Sequence, residues 1–193
     1  HQRQQAAAEY ARRVWRDSRC ADPAHPYLSA KGCRPYNLRQ RDDMLLVPLY
    51  HSGELVNLQR IGADGRKRFL SGGKVTGCYS PMGIILASQA LYLCEGWATG
   101  ATLHAEAGHP VACAMNAGNL LEPGRHLQRR HPEAVLVVAG DDDRQTAGNP
   151  GKTAAVAVAA ALGCGLILPT WPVNAPLDLS DFNDLRHWRE AHA

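Results

Sequence analysis

Two strings decide the fold: Ala90-Leu91-Tyr92-Leu93-Cys94-Glu95-Gly96 and Ala134-Val135-Leu136-Val137-Val138-Ala139-Gly140-Asp141-Asp142-Asp143. Each is a short apolar run that stops at glycine and acid. Such runs, bounded by turn signals, read as strands buried on both faces of a parallel sheet. The chain around them alternates in the same way. Gly96 to Gly108 reads as a helix, Pro110 to Met115 as a strand, and Leu120 to Arg130 as a helix with a Pro-Gly interruption. Lys152 to Leu162 reads as a helix, Gly165 to Leu168 as a strand, and Asp181 to Ala191 as a closing helix. Strands separated by helices imply an α/β fold, a parallel sheet with helices on both faces.

Ligands of open α/β sheets bind at the carboxyl ends of the strands. Glu95 follows one strand directly, and Asp141, Asp142 and Asp143 follow another after Gly140. If the two strands are neighbours, these carboxylates converge and repel unless a cation offsets them. An oxygen-only donor set without His or Cys suits Mg²⁺ or Mn²⁺. The competing readings are a polar loop residue for Glu95 and a helix N-cap for the Asp run. Their joint placement at strand ends, each beside glycine, favours a site. Asn116, in Asn116-Ala117-Gly118-Asn119-Leu120, is expected on the same edge; a plain turn capped by Asn119 accounts for that segment as well. Asp178, Asp181 and Asp184 read either as further carboxylates for the site or, with Ser180 or Asp181 as cap, as the start of the last helix. Gly148-Asn149-Pro150-Gly151-Lys152-Thr153 resembles the end of a phosphate-binding loop, but Thr146 stands where the first glycine is required, so an NTPase is rejected.

The amino-terminal part has a different grammar. Residues 4–20 read as a helix, stopped by Asp22-Pro23-Ala24-His25-Pro26, and residues 27–40 as irregular or briefly helical. Met44 to Tyr50, Glu54 to Ile61 and Arg66 to Leu70 read as an antiparallel meander joined at His51-Ser52-Gly53 and Ala63-Asp64-Gly65. It carries Arg60, Arg66, Lys67, Arg68 and Lys74. These bind phosphates or form an ordinary solvated basic hairpin. Residues 1–90 hold 14 Lys and Arg against 7 Asp and Glu, whereas residues 91–193 hold 7 against 11. A basic half beside an acidic half suits a protein that grips a polyanion with one part and holds cations with the other. The expected division is a basic α+β subdomain over 1–83 and the α/β domain over 84–193.

With 193 residues, 45% hydrophobic and 20% charged, the chain reads as a soluble globular protein with no membrane partner, working in the cytoplasm. No apolar run reaches the roughly 18 residues that a membrane span needs. Its start at His1, without a signal peptide, reads as a piece of a longer polypeptide. None of the six cysteines forms a C-x-x-C pair, which speaks against a zinc ribbon and for reduced thiols.

The Glu95-Gly96 and Asp141-x-Asp143 signals together resemble the TOPRIM signature, a strand-end Glu-Gly followed by D-x-D after a later strand. Glu95-Gly96-Trp97-Ala98-Thr99-Gly100, Asn116 to Leu120 and Asp181-Phe182-Asn183-Asp184-Leu185 are similar to the TOPRIM domain of phage- and plasmid-encoded DNA primases. So are His25-Pro26-Tyr27-Leu28, Leu46-Val47-Pro48-Leu49, Leu58-Gln59-Arg60-Ile61 and Lys67-Arg68-Phe69-Leu70. The resemblance covers about residues 22–190 and lacks the family's zinc-binding and helicase modules. It implies a nucleotidyltransferase that makes short primers on single-stranded DNA from nucleoside triphosphates with Mg²⁺ or Mn²⁺. Glu95 would then be general base or metal ligand, and Asp141 and Asp143 metal ligands, with Asp142 a bystander. Arg60, Lys67, Arg68, Lys74 and Asn116 would contact nucleotide or template. Helicase or zinc-binding domains, on the same or another chain, would be partners. A metal-dependent nuclease or a non-catalytic nucleic-acid-binding module are the alternatives.

Overall fold

The computed structural model describes residues 2–193 as two compact units, one ending at Ser80 and the other beginning at Pro81. In the first, α1 (Gln2–Arg16) precedes β1 (Arg19–Cys20), α2 (Pro26–Lys31), β2 (Arg39–Arg41), β3 (Met44–His51), β4 (Glu54–Ile61) and β5 (Lys67–Phe69). The five strands form one antiparallel sheet in chain order. Helix α1 lays Ala11 and Val14 on Leu46, Leu55 and Leu58 of that sheet and on Leu70 just beyond it, with Trp15 and Tyr50 at the margin. The helix expected over residues 4–20 ends sooner. The Trp15 carbonyl accepts from the Ser18 hydroxyl at 2.6 Å and from the Arg39 guanidinium at 2.7 Å. Arg19 and Cys20 then pair with β2. Side-chain donors that satisfy a last-turn carbonyl end a helix without any glycine.

The chain continues with β6 (Ser80–Met82), which begins at the boundary, and the second unit then holds β7 (Ala90–Cys94), α3 (Trp97–Ala107), β8 (Val111–Cys113), α4 (Leu121–Arg130), β9 (Val135–Ala139), α5 (Pro150–Leu162), β10 (Gly165–Ile167) and α6 (Phe182–Ala191). The sheet order is β10-β9-β7-β8-β6, with β10, β9, β7 and β8 parallel. From β7 the chain moves one way to β8, then crosses back to β9 on the other side of β7. Helices α3 and α6 pack together, as do α4 and α5, so the two pairs cover opposite faces. The Pro-Gly pair expected to interrupt α4 does not. Pro123 lies in its first turn, where no backbone donor is required. Gly124 lets the helix close, because a Cβ there would lie 2.5 Å from Leu162 Cδ1 and 3.1 Å from Leu93 Cδ2. Among the described residues no cysteine is joined in a disulfide, and no helix is long and apolar enough to cross a membrane.

Candidate metal centre and basic cavities

The change of direction at β7 opens a crevice between β7 and β9, where open α/β sheets bind ligands. Cys94 is in register with Ala139, so Glu95 and Gly140 leave the sheet at the same level. Gly140 is obligatory: a Cβ there would stand 2.4 Å from the Ala155 methyl and 2.9 Å from Leu168 Cδ2. On the other side of β7, the amide of Met115 donates to the Glu95 carbonyl at 2.7 Å. Met115 holds a left-handed φ of 72°, unusual for a non-glycine residue. Asn116 follows at this same edge, ahead of the short 3₁₀ turn Ala117–Asn119. Asn119 is not the cap of α4; its side chain donates to the Ala114 carbonyl at 2.8 Å and braces the turn.

The three aspartates after β9 have three environments. Asp141 is largely buried and its Oδ1 has no hydrogen-bond partner. Its pKa is pushed from 3.8 up to about 8, first by burial, then by Glu95, Asp181, Asp143 and Asp184. Asp142 accepts from Asn149 Nδ2 at 2.7 Å, while Asn149 Oδ1 accepts the Asp143 amide at 2.8 Å. Asp143 Oδ2 accepts the Gly151 amide at 2.7 Å, so one of its oxygens is tied to the start of α5. The close approach of α5 needs Gly151, whose Cβ would lie 2.9 Å from the Asp141 Cβ. Asn149 is thus both the N-cap of α5 and the clamp on the Asp loop.

Asp181 and Asp184 take the helix-start reading left open for them. They form the capping box of α6, with the Asp184 amide donating to Asp181 Oδ1 at 2.8 Å. They also raise Asp141's pKa. A strap holds them there. The Asp142 amide donates to the Ser180 carbonyl at 2.8 Å, and Arg144 donates to the carbonyls of Pro176 at 2.5 Å and Leu179 at 3.2 Å. The Arg144 guanidinium also lies 4.4 Å from the Trp171 ring centroid. Neither Asn149 nor Arg144 was singled out from the sequence; Asn before Pro at a helix start was the available signal for the first.

Among the described residues, no three His, Cys, Asp or Glu groups stand together as a ready-made metal cage. Even so, the donor set fits a hard divalent cation. Five acids converge electrostatically, and a buried carboxylate oxygen lies without a partner.

The basic residues of the first unit do not act as one group. Arg60 and Arg68 are cross-strand partners, so their side chains share one sheet face. They line a cavity of about 510 Å³ with Arg66, Asp43, Met44, Gly62, Ala63 and Asp64. Lys67, one residue along, belongs to the opposite face; its ammonium sits 5.5 Å from the Tyr27 ring centroid. Lys74 lies elsewhere, with Nζ 2.9 Å from His51 Nε2.

Known proteins resemble this chain over most of its length. The curated relatives include two proteins from Escherichia coli, each described as "DNA primase TraC". One is 33% identical over 94% of this chain and 13% of its own length, the other 36% identical over 75% and 15%. The chain therefore spans about a seventh of these relatives. Two solved structures share the fold. One is a chain from the bacteriophage T7 lagging-strand DNA polymerase interacting with primase domains, at TM-score 0.58 and 13% identity, covering 86% of both chains. The other is the DnaG primase catalytic domain bound to single-stranded DNA, at TM-score 0.57 and 12% identity, covering 92% of this chain and 74% of that one. Residues 90–189, just over half of the chain, match the Toprim domain, and the chain therefore belongs to the Toprim family.

Proposed function

We propose that this chain is the catalytic core of a DNA primase, making short primers on single-stranded DNA by divalent-metal-dependent nucleotidyl transfer. The observation that carries the reading is the buried, unpartnered Asp141 oxygen among the charges of Glu95, Asp143, Asp181 and Asp184 at the mouth of the β7/β9 crevice. Identity of 33% to an Escherichia coli DNA primase over nearly the whole chain supports it. Asp141 and Asp143 would hold Mg²⁺ or Mn²⁺, with Glu95 as a further ligand or as general base. The cation supplies positive charge against the charge that develops on the attacking and leaving oxygens. As general base, Glu95 takes the proton of the primer's 3′-hydroxyl while that oxygen bonds the α-phosphorus of the incoming nucleotide and pyrophosphate departs. Asp142, held by Asn149, stands outside the ligand set. Arg60 and Arg68 engage phosphates of the nucleoside triphosphate or template as paired forks; Lys67, Lys74 and Asn116 would add weaker contacts. Helicase and zinc-binding domains would be the partners, and the cytoplasm the place of work.

The test is incubation with single-stranded template, nucleoside triphosphates and Mg²⁺ or Mn²⁺. New primers are expected, and Asp141→Asn should abolish them while template binding persists. Cleaved template without synthesis would assign the same site to hydrolysis. Retardation alone, insensitive to metal and to Asp141→Asn, would leave a binding module.

A further inference from the structure

Tyr10 of α1 is a large aromatic residue with 42% of its surface exposed. Arg3, Ala6, Ala7 and Tyr10 recur at helical spacing and make one stripe of α1. With Arg60 of β4 and Leu70, Ser71 and Gly72 beyond β5, that stripe lines a cavity of about 520 Å³. Two alanines leave its helical wall flat. Tyr10 stands toward one end, with the Arg13 guanidinium 5.3 Å from its ring centroid. Arg3 stands toward the other, against the Gly72 turn, where φ is 73°. Arg60 belongs both to this cavity and to the one containing Arg66 and Arg68, and its buried Nε has no hydrogen-bond partner.

We propose that this cavity holds one nucleotide of single-stranded DNA, its base stacked on Tyr10 and its flanking phosphates on Arg3 and Arg60. An aromatic face, a flat apolar wall and guanidiniums at the rim match the three parts of a nucleotide. Every base has a π-face, so stacking here reads no sequence. An acidic peptide would use the arginines but not the flat apolar wall, and a neutral apolar ligand would leave the arginines unused. Because Arg60 opens into the second cavity, the strand runs on from this one towards Arg68. The inference rests on the reading that the chain binds single-stranded DNA, and it adds Tyr10 and Arg3 to the residues that do so.

The test is fluorescence anisotropy of the full chain with a labelled oligothymidylate and with an abasic oligomer of equal length, using Tyr10→Ala, Tyr10→Trp and Arg3→Ala. Circular dichroism and melting temperature check the fold of each variant. Tyr10→Ala should weaken oligothymidylate binding about tenfold and leave abasic binding unchanged, with Tyr10→Trp restoring it. Arg3→Ala should reduce the slope of log affinity against log salt by about 0.7 for both oligomers. If Tyr10→Ala changes neither oligomer, or both equally, while Arg60→Ala still weakens binding, the stacking cavity is refuted and the primase reading stands. If the unaltered chain binds neither oligomer, that reading falls and the cavity assignment with it.

Discussion

Replacing Asp141 by Asn should stabilise the protein in a way that grows with pH. In the folded chain the Asp141 pKa is raised from 3.8 to about 8 by burial and by Glu95, Asp181, Asp143 and Asp184. Between these values the folded state holds a proton that the unfolded state has released. Stability therefore falls as pH rises from about 4 to 8, the sign for an acid whose folded pKa is raised. Each unit in that window costs about 1.4 kcal/mol, so moving from pH 5 to pH 7 costs roughly 3 kcal/mol. Asn carries no charge and escapes that loss. Its amide needs a partner at a buried position, costing about 1–3 kcal/mol, but that cost does not vary with pH and cancels in the difference. The assay is urea unfolding of both proteins with chelator at pH 5, 6 and 7. The gap between variant and wild type should shift in favour of Asn by roughly 3 kcal/mol across the range. Added Mn²⁺ should then stabilise the wild type more than Asp141→Asn, because the variant has lost one ligand charge. Parallel pH dependence in the two proteins would refute the reasoning. So would a variant that loses ground as pH rises, since that would mean the Asp141 charge is already compensated.

Three other sets of substitutions follow from the geometry. Asn149→Ala removes the acceptor for the Asp143 amide and the donor to Asp142; a loss of about 1–2 kcal/mol in denaturant unfolding is expected, with weaker Mn²⁺ binding in calorimetry. Arg60→Ala and Arg68→Ala should each flatten the salt dependence of single-stranded DNA binding by about 0.7 per lost phosphate contact, whereas Lys67→Ala, on the opposite face, should do so less. Equal slopes for all three would contradict the division of faces. Gly100→Ala places a methyl 2.4 Å from Cys113 Sγ and 3.3 Å from Cys94 Sγ; it should cost about 1–3 kcal/mol by overpacking α3 on the sheet, and Cys113→Ala in the same chain should recover most of that in thermal melts.

What the sequence by itself determined is local. Strands β4 and β7 have the bounds their apolar runs indicate, because a short apolar run closed by turn residues has little other use. Glu95 and the Asp141–Asp143 run stand at strand ends for the same reason, and alternation with helices makes those ends point one way. Strands β1 and β2 were not legible, since Arg19–Cys20 and Arg39–Arg41 carry no periodic pattern and exist only through each other and β3. The tertiary structure alone decided that β7 lies beside β9, which turns two separate acidic signals into one crevice. It also set Arg60 beside Arg68 and turned Lys67 away, through a cross-strand register in which a one-residue slip would reverse the faces. The arrival of Asp181 and Asp184 near Asp141 depends on a strap tied by Arg144 and by the Ser180 carbonyl. Those are contacts between residues more than thirty positions apart, and no sequence window contains both ends of them.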